Sequence, residues 1–520
     1  MSDLRVLLVY PNERDMSLVP PVFGLFAALL RKEGHTVSLF DSTGYDFEGK
    51  FDSDLEAERA LMFKPVAVEA ASHSGVKRKQ SNMFEDFVAK VENFKPDLIA
   101  VSVTECTFLR GLTLLDHLRN IAKIRVLTIV GGVFPTFAPN RVIREASVDM
   151  ICVGEGDIAM VSLCEHLSLS KDFSKIPNLW VKKPGGEVIK NMPGPAVDIN
   201  KLPPLDFTLF EDDRFYRPMR GRIYRMLPVE THRGCPYTCT FCNSPAQNDM
   251  YKTQTKSKFF RKKSVEKIRE ELINFRDTWK GEYVFFWADT FLAWRTQELE
   301  EFCEMYSEFK FPFWCQSRTE TISDAVGGPA KLKLLRDVGL HHMSFGLEHG
   351  NEEYRARVID RHYTNKDAID ALKNPVKLDI PITINNIIGF PDETYALAMD
   401  TIELNRQIHS FNLSCSTFSP FVGTKLRVLS EKKGYVDPEL ISPPNADWSV
   451  MNMPQFPKEE IYGLQRVFVM YSKFPKNRWP ELKRAEALTP EGNAIWESLR
   501  DEFLGAYFQE PEPAINRVND

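Results

Sequence analysis

Three cysteines set the chemistry this chain can do. Cys235, Cys239 and Cys242 lie in the stretch ETHRGCPYTCTFCNSP (230–245), spaced C-x3-C-x2-C, with Phe241 directly before the third. Thiolates this close converge on one metal centre only if the backbone curls around it. Gly234 and Pro236 favour a loop there over a helix or strand. Cysteine thiolates hold iron–sulfur clusters, and a [4Fe–4S] cube has four irons to ligate. Three cysteines leave one iron open, and open positions are where metal sites do chemistry. A Cys3His zinc knuckle using His232 is the competing reading. Structural zinc sites draw their ligands as two close pairs, and no second CxxC or HxxxH occurs in the chain. Cys106, Cys152, Cys164, Cys303, Cys315 and Cys415 are isolated in apolar surroundings and read as small core residues.

The elements that must position this loop follow an α/β rhythm. Before it, apolar runs at 4–10, 36–41, 97–103, 125–133 and 149–156 read as strands, alternating with helix-period segments such as 84–94 and 109–121. That alternation predicts a doubly wound, Rossmann-like parallel sheet covered on both faces, with ligands at the carboxyl ends of its strands. No GxGxxG or GxxxxGK[ST] is present, which argues against a dinucleotide or nucleoside triphosphate. The strand ends instead carry Ser102 and Thr104, Gly131 to Thr136 with Gly132 and Pro135 between, and Gly154–Glu155–Gly156. Glycines there admit a large flat ligand close to the backbone; ordinary tight turns read equally well.

A hairpin at 178–191 and a proline-rich linker to about residue 205 lead into a second series of strands at 226–234, 283–289, 312–318, 342–348, 381–390 and 413–421. Helix-period segments separate them, which predicts a partial (β/α)6 barrel with its site at the carboxyl strand ends. Asp289, Gln316, Arg318, Glu348 and then Glu393 fall at those ends. Beyond residue 431 the chain reads as mostly helical, with 458–474 the clearest helix and a frayed terminus. Trp448, Phe456, Trp479 and Trp496 could line a pocket there, with packing the expected role of any one.

The 520 residues carry a net charge of −6, with 43% hydrophobic and 27% charged residues, ordinary for a soluble globular protein of two to four domains. That balance gives no nucleic-acid footprint, and the basic run from Lys252 to Arg269 reads as a solvated face. Odd cysteine usage, the absence of a secretory signal and the lack of a membrane span make a reducing, cytoplasmic location the expectation.

C-x3-C-x2-C with an aromatic before the last cysteine resembles the signature of the radical S-adenosylmethionine (SAM) enzymes. SFGLEHG, NIIGFPDET and FSPFVGTKL resemble further elements of that core, and PPVFGL, GGVFPT and VGEGD resemble the cobalamin-binding domain that precedes it in the cobalamin-dependent class. The resemblance implies a cobalamin-binding domain (1–195), a radical SAM core (196–430) and a helical C-terminal cap (431–520). It implies a [4Fe–4S] cluster on Cys235, Cys239 and Cys242, with SAM at Arg318, Glu348 and Glu393. It places cobalamin at Ser102, Thr104, Gly131, Gly132, Pro135, Thr136 and Glu155. Phe134 stands where many relatives have histidine, and the Asp-x-His-x-x-Gly motif is absent; its near miss, DRHYTN (360–365), falls in the wrong domain. The implied function is reductive cleavage of SAM to functionalise an unactivated carbon, chiefly by methyl transfer from methylcobalamin. The alternatives are ring formation or rearrangement, with or without cobalamin, and a non-enzymatic corrinoid or zinc module. The implied partners are a small-molecule substrate and an electron donor such as flavodoxin or ferredoxin. The catalytic residues themselves are not identified.

Overall fold

A computed structural model describes residues 3–13, 18–45, 77, 79–220, 222–443 and 448–507. The expected frayed C-terminus lies outside the described residues. The first sheet holds β1 (Arg5–Tyr10), β2 (Thr36–Asp41), β3 (Leu98–Ser102), β4 (Leu127–Gly131), β5 (Met150–Cys152), β6 (Leu179–Lys182) and β7 (Val188–Lys190). Its order is β2-β1-β3-β4-β5-β6-β7, with the first five strands parallel and the last two antiparallel. The chain therefore reverses its winding between β1 and β3, which is the switch point where doubly wound sheets open a crevice. The hairpin β6–β7 extends this sheet instead of leading away from it.

Both faces of the strands are buried, as their unbroken apolar runs require. Val6, Leu8, Ala100 and Ile129 pack with Phe23 and Leu30 of α1 (Pro21–Lys32). Leu7, Val9, Ile99, Val101 and Val130 pack with Phe87 and Val91 of α2 (Met83–Phe94) and Phe108 and Leu114 of α3 (Glu105–Asp116). α4 (Asp157–Ser168) follows β5 and packs beside α1.

The second sheet has β8 (Tyr216–Met219), β9 (Arg222–Glu230), β12 (Tyr283–Trp287), β13 (Phe313–Arg318), β14 (Leu340–Glu348), β15 (Ile382–Ile388) and β16 (Asn412–Thr417). A two-strand ribbon, β10 (His232–Arg233) with β11 (Arg261–Lys262), stands on the loop after β9. The order β16-β15-β14-β13-β12-β9-β8 is parallel except for β8, which pairs antiparallel on the edge beside β9. It is an open half-barrel. Alternate residues separate its faces: Val284, Phe286 and Phe345 join the large core that also takes in α5 (Val265–Asp277) and α6 (Thr296–Tyr306), with Phe286 against Phe302 and Tyr306, while Met226, Tyr283 and Phe285 form a separate cluster with Trp287 and Trp314. Further helices, α7 (Gly328–Asp337), α8 (Asn365–Lys377) and α9 (Tyr395–Asn405), continue the outer layer.

After α10 (Lys425–Lys432), the C-terminal helices α11 (Lys458–Lys473), α12 (Trp479–Ala485) and α13 (Pro490–Tyr507) join that outer layer: α11 packs on β16 and α9, and Gln465 donates to the Cys415 carbonyl at 3.2 Å. The four C-terminal aromatics pack there. Phe456 is fully buried, Trp479 meets Tyr471 edge-on, Trp496 donates to the Arg466 carbonyl, and Trp448 stacks on Tyr462.

Candidate functional site

The cysteine loop leaves the carboxyl end of β9 and is pinned along its length. Gly234 turns with φ +83, and a Cβ there would come within 2.7 Å of the Phe259 ring. Asn248 Nδ2 donates to the Cys235 carbonyl (2.8 Å), the Cys242 amide to the Cys239 carbonyl (3.2 Å), and Thr240 Oγ1 to the Val358 carbonyl (2.6 Å). Each thiol has its own polar neighbour: Thr290 Oγ1 3.4 Å from Cys235 Sγ, Arg318 Nη1 3.1 Å from Cys239 Sγ, and the Ser244 amide 3.5 Å from Cys242 Sγ. Burial pushes the Cys235 thiol up and the Cys242 thiol up to about 11. Buried sulfurs supplied with donors and a guanidinium suit metal-bound thiolates, since a coordinating cation deprotonates the thiol outright.

His232 is not turned toward the cysteines as a Cys3His zinc knuckle would need. Among the described residues no three His, Cys, Asp or Glu side chains gather for a single ion. Thiolates on separate irons of a cube stand farther apart than ligands sharing one ion. His232 turns elsewhere: Nδ1 lies 2.8 Å from Thr231 Oγ1, its ring packs on Trp294, Phe291 and Phe260, and burial lowers its pKa to about 3.

Beside the thiols, Arg318 lies over the Tyr237 ring (4.0 Å) and pairs with Glu320. Glu348 closes β14 in a left-handed conformation, φ +66, where the register slips against β15. A non-glycine residue pays strain for that geometry, and such strain collects at functional sites. Its carboxylate meets Arg361 Nη2 at 3.0 Å and lies so close to Gly346 that a Cβ there would stand 2.2 Å from Oε1. Burial pushes the Glu348 carboxyl up against the pull of Arg361 and Arg318. Glu393 sits behind this layer, fully buried, with Oε2 accepting the Gly389 and Phe390 amides and Oε1 3.0 Å from His349 Nε2. It shapes the turn after β15.

Across from these groups, a cavity of about 270 Å³ opens at the carboxyl ends of β1, β3, β4 and β5. Leu8, Ala100, Ile129 and Phe23 give it an apolar floor; Ser102, Gly131, Gly132 and Glu155 stand at its rim; Glu230, Arg233, Lys263 and Trp287 of the second half close it. Gly132, φ +111, has no room for a side chain, because a Cβ would lie 2.2 Å from the Val103 carbonyl. Thr136 Oγ1 donates to the Gly132 carbonyl (2.8 Å) and accepts the Gly154 amide (3.0 Å), tying two rim loops together. Pro135 is buried beneath the rim, and Thr104 caps α3 in partnership with Thr107. Phe134 packs on Phe108, so the rim offers no polar side chain there. An apolar crevice at a switch point, edged by glycine backbone, suits the close approach of a large flat ligand such as a corrinoid.

Comparison with known proteins agrees with this geometry. The B12 binding domain pattern matches residues 22–164 and the Radical SAM superfamily pattern residues 229–404. The chain belongs to the cobalamin-dependent radical SAM enzymes. An uncharacterised methyltransferase of Pyrococcus horikoshii is 26% identical over 66% of this chain and 71% of its own. The anaerobic magnesium-protoporphyrin IX monomethyl ester cyclase of Rubrivivax gelatinosus is 25% identical over 76% and 69%. The fold is similar to that of the cobalamin-dependent SAM radical enzyme OxsB with aqua-cobalamin and SAM bound, at TM-score 0.65 and 16% identity, over 97% of this chain and 72% of that one.

The family's cofactors are therefore a [4Fe–4S] cluster, SAM and cobalamin. In this radical SAM enzyme the fold gathers Cys235, Cys239, Cys242, Arg318 and Glu348 at one end of the half-barrel, and Ser102, Gly131, Gly132 and Glu155 at the facing rim. Arg361 was not anticipated: it comes from DRHYTN, whose His362 is exposed and paired with Asp360. Among the described residues no helix is long and apolar enough to cross a membrane.

Proposed function

We propose that this chain is a C-methyltransferase of the cobalamin-dependent radical SAM class, acting on a small molecule at an unactivated carbon. The observation that carries this reading is the shared cavity: strand ends of both sheets face one space, with Ser102 and Gly132 on one wall and Glu230, Arg233 and Trp287 on the other. The bound cofactors supply the hard chemistry, an electron that cleaves SAM and a methyl group carried on cobalt. The chain's own residues bind, orient and exclude water.

Cys235, Cys239 and Cys242 would each hold one iron, leaving the fourth for SAM. Arg318, on Cys239, sets positive charge against that thiolate and restrains the loop through Tyr237. Glu348, its charge balanced by Arg361, offers a carboxylate suited to SAM's ammonium or ribose hydroxyls. Glu393 fixes the turn behind. Gly131, Gly132 and the Thr136 tie keep the rim open for the corrinoid. An electron donor such as flavodoxin or ferredoxin would serve the cluster.

The relationship to a ring-forming enzyme over 76% of the chain supports a second reading, cyclisation with cobalamin but without methyl transfer. Anaerobic reconstitution with iron, sulfide and hydroxocobalamin, followed by reductant and methyl-labelled SAM, separates them. About four irons with one cobalt, and label appearing on the corrinoid, support the methyltransferase. Loaded corrinoid that never takes label supports cyclisation. Iron without cobalt overturns both.

A further inference from the structure

Both flanks of the cysteine loop hang on buried carboxylates of the cobalamin-binding half. On the leading side, Arg233 stands two residues before Cys235. Its guanidinium meets Glu155 Oε1 (3.0 Å), both oxygens of Asp157 (3.0 Å) and Glu230 Oε1 (3.1 Å). Arg261 is a second cation on Glu155, the Val197 amide donates to Glu155 Oε2 (2.9 Å), and the Glu155 amide donates to Tyr251 Oη (2.7 Å). On the trailing side, Asn243 directly follows Cys242 and donates to the Val422 carbonyl (2.8 Å), while the Val422 amide donates to Glu105 Oε2 (2.7 Å). Glu105 Oε1 also accepts the Ser442 amide (2.8 Å), and a Cβ on Gly423 would lie 2.4 Å from Phe137 of the first half.

Glu155, Asp157, Glu230 and Arg233 also line the cavity. A ligand filling it presses on the same ion cluster that fixes the backbone ahead of Cys235. Buried charges of this kind are held by geometry, because each loses its compensation if a partner moves.

We propose that Arg233, Glu155 and Glu105 are positioning residues that couple the two metal sites, so that a corrinoid in the cavity tightens the cysteine loop around its cluster. This rests on the cavity being the corrinoid site. Plain domain glue would stabilise the fold without making one site respond to the other, whereas coupling is reciprocal and typically amounts to a factor of about 5 to 150.

The test is the rate at which the reconstituted full chain loses iron to a chelator, with and without hydroxocobalamin. The wild type should lose iron at least about fivefold more slowly with corrinoid bound. Glu105→Gln, which keeps side-chain size at a residue outside the cavity lining, should still load iron and cobalt but lose most of that protection. Glu155→Gln and Arg233→Lys alter the cavity wall itself, so their iron loss is compared at equal cobalt occupancy, where the first should lose most of the protection and the second retain part of it. If Glu105→Gln fails to fold, Asn243→Ser, which cuts the link from the residue after Cys242 to the Val422 carbonyl, decides. Cobalt that loads without slowing iron loss in the wild type overturns the coupling alone. Full protection in a variant that folds overturns the assignment of its residue. Failure of cobalt to load overturns the coupling together with the reading of the cavity.

Discussion

At the carboxyl ends of the first sheet the chain offers backbone and small groups: Ser102, Gly131, and Gly132 pressed against the Val103 carbonyl. At the carboxyl ends of the second it offers thiols and charged side chains, each paired: Arg318 with Glu320 and Cys239, Glu348 with Arg361. One half presents mainly backbone and shape, the other charge and thiols. A shape-built site fails when an atom is added, and a charge-built site fails when a partner is removed.

Removing a ligand from the charged half should have the largest effect. Cys235→Ala takes away one of three iron positions, and cluster iron should fall to background while hydroxocobalamin still loads. Cluster retained in that variant would sink the opening assignment; iron and cobalt analysis of the same sample reads both. Next is Glu348→Gln, which leaves the Arg361 guanidinium buried without its counter-charge, a loss of about 3 kcal/mol in melting experiments. SAM binding should weaken with iron and cobalt content unchanged. The shape-built half is tested by Gly132→Ala. At φ +111 with a carbonyl 2.2 Å from the new Cβ, the rim loop must move, which should cost about 2 kcal/mol and most of the bound cobalt but none of the iron.

What could be read in advance follows the same division. The cysteines, Arg318 and Glu348 were legible because their spacing and position at strand ends are local facts of the chain. Arg361 was not, because its pairing with Glu348 depends on the bulged end of β14 and on a turn that brings residues 13 apart together. Glu393 was legible as belonging to the turn after β15 but not in its direction, which only the Gly389 and Phe390 amides reveal. β8 escaped notice because four residues with Pro218 among them carry a weak strand signal, and proline is tolerated there only because the strand lies on the edge. Arg233 and Glu155 are 78 positions apart, and no periodicity predicts a contact between the two halves. The glycines at 131–132 were legible as a turn. Which ligand they admit was implied only by the resemblance of GGVFPT to the cobalamin-binding domain.

Acid should separate the halves by a smaller effect. His232, beside the cysteine loop, and His342, on β14, are both buried, and burial lowers each pKa to about 3. His232 Nε2 and His342 Nδ1 have no hydrogen-bond partner, so a proton added there would be buried without an acceptor. Unfolded, both titrate near 6.5. Above that pH neither state is charged and the histidines cost nothing. As the pH falls below 6.5 the unfolded chain takes up protons that the folded one refuses, so stability drops by about 2 kcal/mol per histidine at pH 5. Glu230 does not contribute in this window: Arg233 and Lys263 overcome its burial and hold its pKa at about 2, so its share of stability is intact until the pH falls below about 4.5. The melting temperature should therefore fall between pH 7.5 and 5, and because burial also lowers the His341 pKa to about 4, His232→Asn should remove about a third of the histidine contribution to that slope. Because both histidines belong to the second sheet's half, iron should be released at a pH where cobalt is still held; simultaneous release would show that the two halves open as one.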